Sequence, residues 1–299
     1  MEIQCLLGIL TPTRQTITYS AGLIMKALNV LRGLMAFLTA IPVKMDESFL
    51  DISARFMFLF PVIGAIIGLL VGLYARFTNS VLFFLFDAIN NVVFLGAYEV
   101  LSQFAAKGLA SAMTIAFILV IIGLQHTDGL VDVGNALGIR KASLKEKMDI
   151  AHVWTVTRTG AFFAILVSFF TVLLIFLTKT DVVIQALIVA EVSAKLAMVT
   201  TAWQGTSPPQ NLEDKRGKGR SFIDYMRKNN GLYAISLAIS LAFSVVLFGL
   251  SGVFAVASGI LVGGVMIVLG KRVFGGVNGD IFGATNEIAR MFALLVLVI

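Results

Sequence analysis

The sequence predicts an all-α protein, a polytopic transmembrane helix bundle of about seven spans. Three observations carry this reading. Apolar residues make up 58% of the chain and charged residues only 13%, against about 25% charged in an average soluble domain. The apolar residues fall in runs long enough to cross a bilayer, which takes roughly 20 residues per helix. The few charges gather in short polar loops between those runs. With a mean hydropathy of +0.94, a water-soluble fold would have to expose large apolar patches.

The elements follow in order. Residues 1–24 are polar and mixed and read as an amino-terminal extension, with Met25 an alternative start. They lack the clean apolar core and cleavage site of a signal peptide. Residues 25–299 form a single integral-membrane catalytic domain. Residues 28–43 are too short to span comfortably and read as an interfacial or half-inserted helix stopping near Pro42. Candidate spans are 56–75, 83–104, 107–124, 160–178, 182–203, 232–249 and 252–270, with a short apolar run at 288–299. Gly64, Gly68 and Gly72 recur at intervals of four, the small-residue spacing that lets helices approach closely in lipid.

Three polar loops, 125–159, 204–231 and 271–283, are separated by pairs of spans and so share one side. They hold most of the basic residues, whereas the connections near Thr178–Asp181 and Leu250–Ser251 carry almost no net charge. The positive-inside rule then places all three loops in the cytoplasm and the chain in the cell membrane. The side of segment 44–55 depends on whether 83–104 is a full span or a re-entrant one, and both readings stay open here. The net charge of +6 is accounted for by this topology, and no basic-plus-aromatic patch points to nucleic acid. Cys5 is the sole cysteine, which excludes an internal disulfide framework and a cysteine-rich metal site.

The chemistry-bearing residues sit in those loops. His126-Thr-Asp-Gly-Leu-Val-Asp132 follows directly on an apolar run. Asp128 and Asp132 are four apart and share a helix face, where two carboxylates repel unless a cation sits between them. Such oxygen donors suit Mg²⁺, often with substrate phosphates completing the shell. Gly129 leaves room for close approach, and Asn135 adds an oxygen nearby. The competing reading makes Asp128 a helix cap.

The third loop, Gly275 through Glu287, repeats the pattern. Asp280 and Glu287 are seven apart, hence on one face, with Asn286 adjacent. They lie at or near membrane depth, where ionisable groups are costly and by default functional. An ion pair with Lys271, Arg272 or Arg290 is the structural alternative. Asp128, Asp132, Asp280, Glu287 and Asn135 are thus the candidate metal ligands, and Asp128, Asp132 and His126 the candidate catalytic residues. Lys215, Arg216, Lys218, Arg220 and Arg158 are candidate contacts for substrate phosphate, or else set topology and touch acidic lipid. Gly129 and Gly279 are the close-approach positions. Glu191 and Lys195, at i and i+4 inside a span, pair or line a cavity. Trp154 and Trp203 read as interfacial anchors.

Several segments resemble the cobalamin synthase family, the adenosylcobinamide-GDP ribazoletransferases. They are Phe37–Val43, Phe60–Gly68, His126–Asp132 with Ala136-Leu137, and Gly275–Glu287, in the family's order. The resemblance implies an Mg²⁺-dependent membrane transferase. Its substrates would be adenosylcobinamide-GDP and α-ribazole or its 5′-phosphate, its products GMP and adenosylcobalamin or its phosphate, and membrane lipid its surroundings. Relative to the family pattern, Asn135 stands where a third Asp is common. Asn278-Gly-Asp280 replaces Thr-Gly-Asp, Asp149 is offset, and Lys195 stands for an Arg. The number of metal ions and the third ligand therefore stay open.

Two other classes compete. A CDP-alcohol phosphotransferase also clusters Asp in a membrane bundle, but Val131-Asp132 stands where its pattern needs Ala-Arg. A cation-coupled transporter would favour an inverted repeat and broken helices; no clear repeat is found, and the key acids sit at loop–helix junctions on one face rather than mid-span.

Overall fold

The computed structural model describes residues 26, 28–41, 49–93, 96, 98–139, 142–151, 156–209 and 219–299. The proposed extension 1–24 and Pro42 lie outside them. Every regular element among the described residues is helical. In chain order they are α1 (Leu28–Leu38), α2 (Phe49–Arg55), a 3₁₀ turn (Met57–Leu59), α3 (Phe60–Val93), α4 (Glu99–Ile122), α5 (Gln125–Leu137) and α6 (Leu144–Ala151). Then follow α7 (Arg158–Leu177), α8 (Val183–Gln204), α9 (Gly219–Lys228), α10 (Asn230–Phe274) and α11 (Gly279–Val298).

Six of these helices are long and apolar enough to cross a membrane, and one of them folds back on itself. Within α10, Gly249 has φ 55° and ψ −129°, far from helical values. A Cβ on Gly252 would lie 2.0 Å from the Ser244 carbonyl oxygen. Residues eight apart in a straight helix are about 12 Å apart along the axis, so the chain reverses at Gly249. The two arms match the expected spans 232–249 and 252–270, and the bundle has seven spans.

The amino-terminal half differs from expectation. Residues 56–75 and 83–104 do not form two separate spans. Instead α3 runs unbroken for 34 residues, about 51 Å at ~1.5 Å per residue, against a bilayer core of roughly 30 Å. Thr78 and Ser80, the polar interruption near its middle, return their hydroxyl protons to the carbonyls of Tyr74 and Arg76, so the helix continues. The chain turns only past Val93, where Gly96 takes φ 79° and Asn90 Oδ1 accepts the Tyr98 amide. The seventh span is α11: it joins the short run 288–299 to the second half of the third polar loop.

The core is organised by small residues on α3 facing α8. A Cβ on Gly64, Gly68 or Gly72 would fall within 2.7 Å of the backbone at Glu191, Leu187 and Ile184 respectively. The two helices are thus antiparallel and in backbone contact, the packing expected for this spacing. From Val189 to Ala202 every residue of α8 is buried. The second arm of α10 covers another side of α8, with Gly259 against Ser193 and Gly263 against Ala197.

This path decides which elements share an end. Because α3 and α4 are a single hairpin, segment 49–55 lies at the same end as the three polar loops. The contacts agree: Arg55 Nε donates to the Tyr225 hydroxyl at 2.9 Å, and the Phe37 and Phe222 rings lie 4.7 Å apart. The Ala40 amide donates to the Ile121 carbonyl at the end of α4.

Candidate active site at the polar end

The site begins with a corner. α4 ends at Gly123 with φ 68°, and Leu124 follows with φ 63°. Leu124 is the only described non-glycine residue with positive φ, a conformation that costs on the order of 1–3 kcal/mol. Two consecutive left-handed residues turn the chain out of the span and start α5 at once. Asp128 then lies in the first turn of α5, where helix partial charge favours a carboxylate. Asp128 is exposed and Asp132, one turn later, is half-buried.

Glycines bring α5 against its neighbours. A Cβ on Gly129 would lie 2.7 Å from the Asp280 carbonyl oxygen and 3.0 Å from its Cα. A Cβ on Gly283 would lie 3.0 Å from the His126 Cα. The acidic first turns of α5 and α11 therefore meet backbone to backbone, and Asp128, Asp132 and Asp280 occupy one region. Gly129→Ala should force this contact apart and destabilise the protein by about 1–3 kcal/mol. A thermal midpoint unchanged from the parent in a detergent melt would contradict that.

The second polar loop joins from the other side. The Val277 amide donates to the Thr206 carbonyl at 2.8 Å. Gly219, at the start of α9, rests on Asn278 and Gly279. Arg220 thereby reaches this end, partly buried, with Nη2 donating to the Pro208 carbonyl at 2.9 Å. Arg158 opens α7 and is exposed. Lys215, Arg216 and Lys218 lie outside the described residues. Gly279 is exposed, with open space where a side chain would stand.

The expected ligand set is divided by the fold. Asn135 is buried, and its Oδ1 accepts both the Thr157 amide (3.0 Å) and hydroxyl (2.7 Å). Thr157 in turn caps α7 through the Gly160 amide, so this oxygen positions the start of α7. Glu287 lies deeper, inside α11, where Arg290 Nη1 donates to it at 2.6 Å and Asn286 Nδ2 at 3.1 Å. Asp280 stays at the surface end, its Oδ2 accepting from Asn278 Nδ2 at 2.7 Å while Asn278 Oδ1 caps Ile281. Among the described residues no three His, Cys, Asp or Glu side chains converge as a ready-made metal cluster.

His126 also departs from its expected place. It is 7% exposed and faces the bundle interior beside α11. Burial first, then the charges of Lys195 and Arg290, hold its imidazole well below the usual histidine pKa. The ring is neutral and stands behind the acidic face.

Beneath the acids lies a feature only half legible in the sequence. Glu191 and Lys195 do pair, at 3.2 Å. The same Glu191 also accepts from Arg290 Nε, and Lys195 Nζ donates to Asn286 Oδ1 at 2.6 Å. Two carboxylates and two cations thus form a neutral, buried network tying α8 to α11. Nothing in local spacing announces these partners, because they are 91 and 99 residues apart.

Residues 30–298 match the family described as cobalamin-5-phosphate synthase. The chain belongs to that family. Relatives agree across nearly the whole length. An adenosylcobinamide-GDP ribazoletransferase of Methanocella arvoryzae is 30% identical, over 89% of this chain and 94% of its own. Those of Methanococcoides burtonii and Methanosarcina barkeri are each 28% identical, over 91% and 88% of this chain and 92% and 89% of their own. No solved structure matches the chain. As a cobalamin-5-phosphate synthase family member the protein is a membrane-spanning transferase of cobalamin biosynthesis. This separates it from the CDP-alcohol phosphotransferase and transporter readings.

Proposed function

We propose that the protein joins adenosylcobinamide-GDP to α-ribazole, or to its 5′-phosphate, and releases GMP. The observation that carries this reading is the meeting of the acidic first turns of α5 and α11 at Gly129, in a chain whose relatives bear the corresponding name. The reaction takes place at the polar end of the bundle, which faces the cytoplasm by the positive-inside rule.

A divalent cation fits the donor chemistry. Asp128 and Asp132 are hard oxygen donors one turn apart on an accessible face, and Asp280 lies beside them. Mg²⁺ is commonly held by one or two carboxylates together with substrate phosphates, so two carboxylates suffice here. When bound there, Mg²⁺ supplies neutralisation of charge on the pyrophosphate and on the departing GMP. Asp128 and Asp132 would hold it.

The other residues position and screen. Arg158 and Arg220, at the edge of this end, offer guanidinium donors to phosphate oxygens. Gly279, open and without a side chain, leaves room for the pyrophosphate against the start of α11. A ribazole hydroxyl oxygen forms a bond to the phosphorus carrying the corrinoid side chain. The bridging bond from that phosphorus to the GMP oxygen breaks, and the hydroxyl proton passes to a carboxylate of the site or to water. Positioning and charge stabilisation supply most of the acceleration in such transfers.

The test uses purified protein in lipid, with Mg²⁺, adenosylcobinamide-GDP and α-ribazole. GMP and a corrinoid carrying the lower base should form in equal amounts, and chelation of the metal should stop both. Absence of product where a relative of the same family turns over would refute the assignment. Running α-ribazole and its 5′-phosphate in parallel distinguishes the two acceptors.

A further inference from the structure

We propose that a cleft at the far end of the bundle, away from the acidic site, binds the phosphate of a membrane phospholipid through Lys107. The inference stands independently of the transfer reaction. Lys107 lies within the apolar span α4, where an ionisable residue by default marks a function. Among the described residues its ammonium has neither a hydrogen-bond partner nor an ion pair. Its ammonium sits 5.4 Å from the centre of the Phe176 ring, a contact that leaves its N–H donors unspent.

The cleft around it is formed by α3, α4, α7 and α8; it is shallow and half open, a cavity of about 20 Å³. Polar residues line it, among them Asn79, Ser111, Thr114, Thr178 and Thr180. Ser111, Thr114 and Thr178 give their hydroxyl protons to carbonyls of their own helices. The side-chain donors left are Lys107, the Asn79 amide and the Thr180 hydroxyl. Arg76 approaches from the same side, with Nη1 on the Thr180 carbonyl at 2.7 Å. Among the described residues no carboxylate lines the cleft. An acceptor-rich anion is the ligand this set fits.

Depth selects its source. Thr178 and Thr180 belong to the short connection between Leu177, the end of α7, and Val183, the start of α8. That connection marks a membrane boundary, the level of phospholipid phosphates.

Delipidated protein in detergent should be titrated with dioleoylphosphatidylglycerol, with dioleoylglycerol and with inorganic phosphate, following binding by native mass spectrometry and stability by thermal melting. The phospholipid should bind saturably and raise the midpoint, and dioleoylglycerol should do neither. Lys107→Met should weaken phospholipid binding about fivefold or more while remaining folded by circular dichroism, and Lys107→Arg should retain most of it. Equal binding of dioleoylglycerol, or an unchanged Lys107→Met, overturns the proposal. Equal protection by inorganic phosphate overturns a lipid as the occupant.

Discussion

Asp128→Asn and Asp132→Asn are each expected to lower turnover by a factor of at least about 10²–10³, the cost of removing one preorganised electrostatic element from an active site. Neither change should prevent folding. Asp128 is exposed and Asp132 half-buried, so neither belongs to the apolar core. Asparagine preserves shape and one oxygen while removing the charge that a divalent cation needs. Asp149, exposed on the neighbouring helix α6, supplies the control: Asp149→Asn should turn over like the parent. The measurement is GMP release by purified variants in lipid at saturating corrinoid substrate, with circular dichroism for fold. If Asp128→Asn keeps parental turnover, the metal role assigned to that residue is wrong. If Asp149→Asn falls as far as the other two, loss of activity reports general damage to the polar end.

How far the sequence foretold this arrangement depends on the range of the interactions. Spacing at four residues foretold the approach of Gly64, Gly68 and Gly72 to another helix, because the pattern and its cause lie on one face. The partner, α8, could not be read, since many apolar helices would fit that face equally. The polar residues Thr78, Asn79 and Ser80 fall in the gap between the expected spans 56–75 and 83–104. Yet Thr78 and Ser80 satisfy their hydroxyls on their own helix, and neither glycine nor proline is there to turn the chain. The true turn, at Gly96, was hidden inside a plausible apolar window.

At the site, the acids themselves were legible, since carboxylates between apolar runs are conspicuous. Their partition was not. Whether Asn135 faces a metal or Thr157, and whether Glu287 faces substrate or Arg290, depends on neighbours contributed by other helices. His126 illustrates the same limit. Near Asp128 in sequence it reads as catalytic, but residues two apart on a helix point about 200° apart, and Gly283 receives it on the inward side.

The buried network beneath the acids makes the largest prediction for stability. Arg290 is 1% exposed and Glu191 and Lys195 are fully buried. Arg290→Met leaves Glu191 and Glu287 with Lys195 as the one remaining cation of the network. Removing one partner of a buried ionic cluster typically costs about 3–5 kcal/mol, because the charge left behind is uncompensated. Replacing the whole cluster is different. Glu191→Leu, Lys195→Met, Glu287→Leu and Arg290→Met together remove every charge, and apolar substitution of an entire buried cluster is often neutral or stabilising. The fourfold variant should therefore melt higher than Arg290→Met alone, followed by circular dichroism in the same detergent. If the single change leaves the midpoint unaltered, the four groups are not coupled as the geometry requires. If the fourfold change is the worse of the two, the packing of Lys195 and Arg290 against α8 and α11 dominates over their charge. The expected order instead makes the network a device of register: it fixes how far α11 slides along α8. Asp280 lies on the same helix, seven residues before Glu287, so that register also sets where its backbone meets α5 at Gly129.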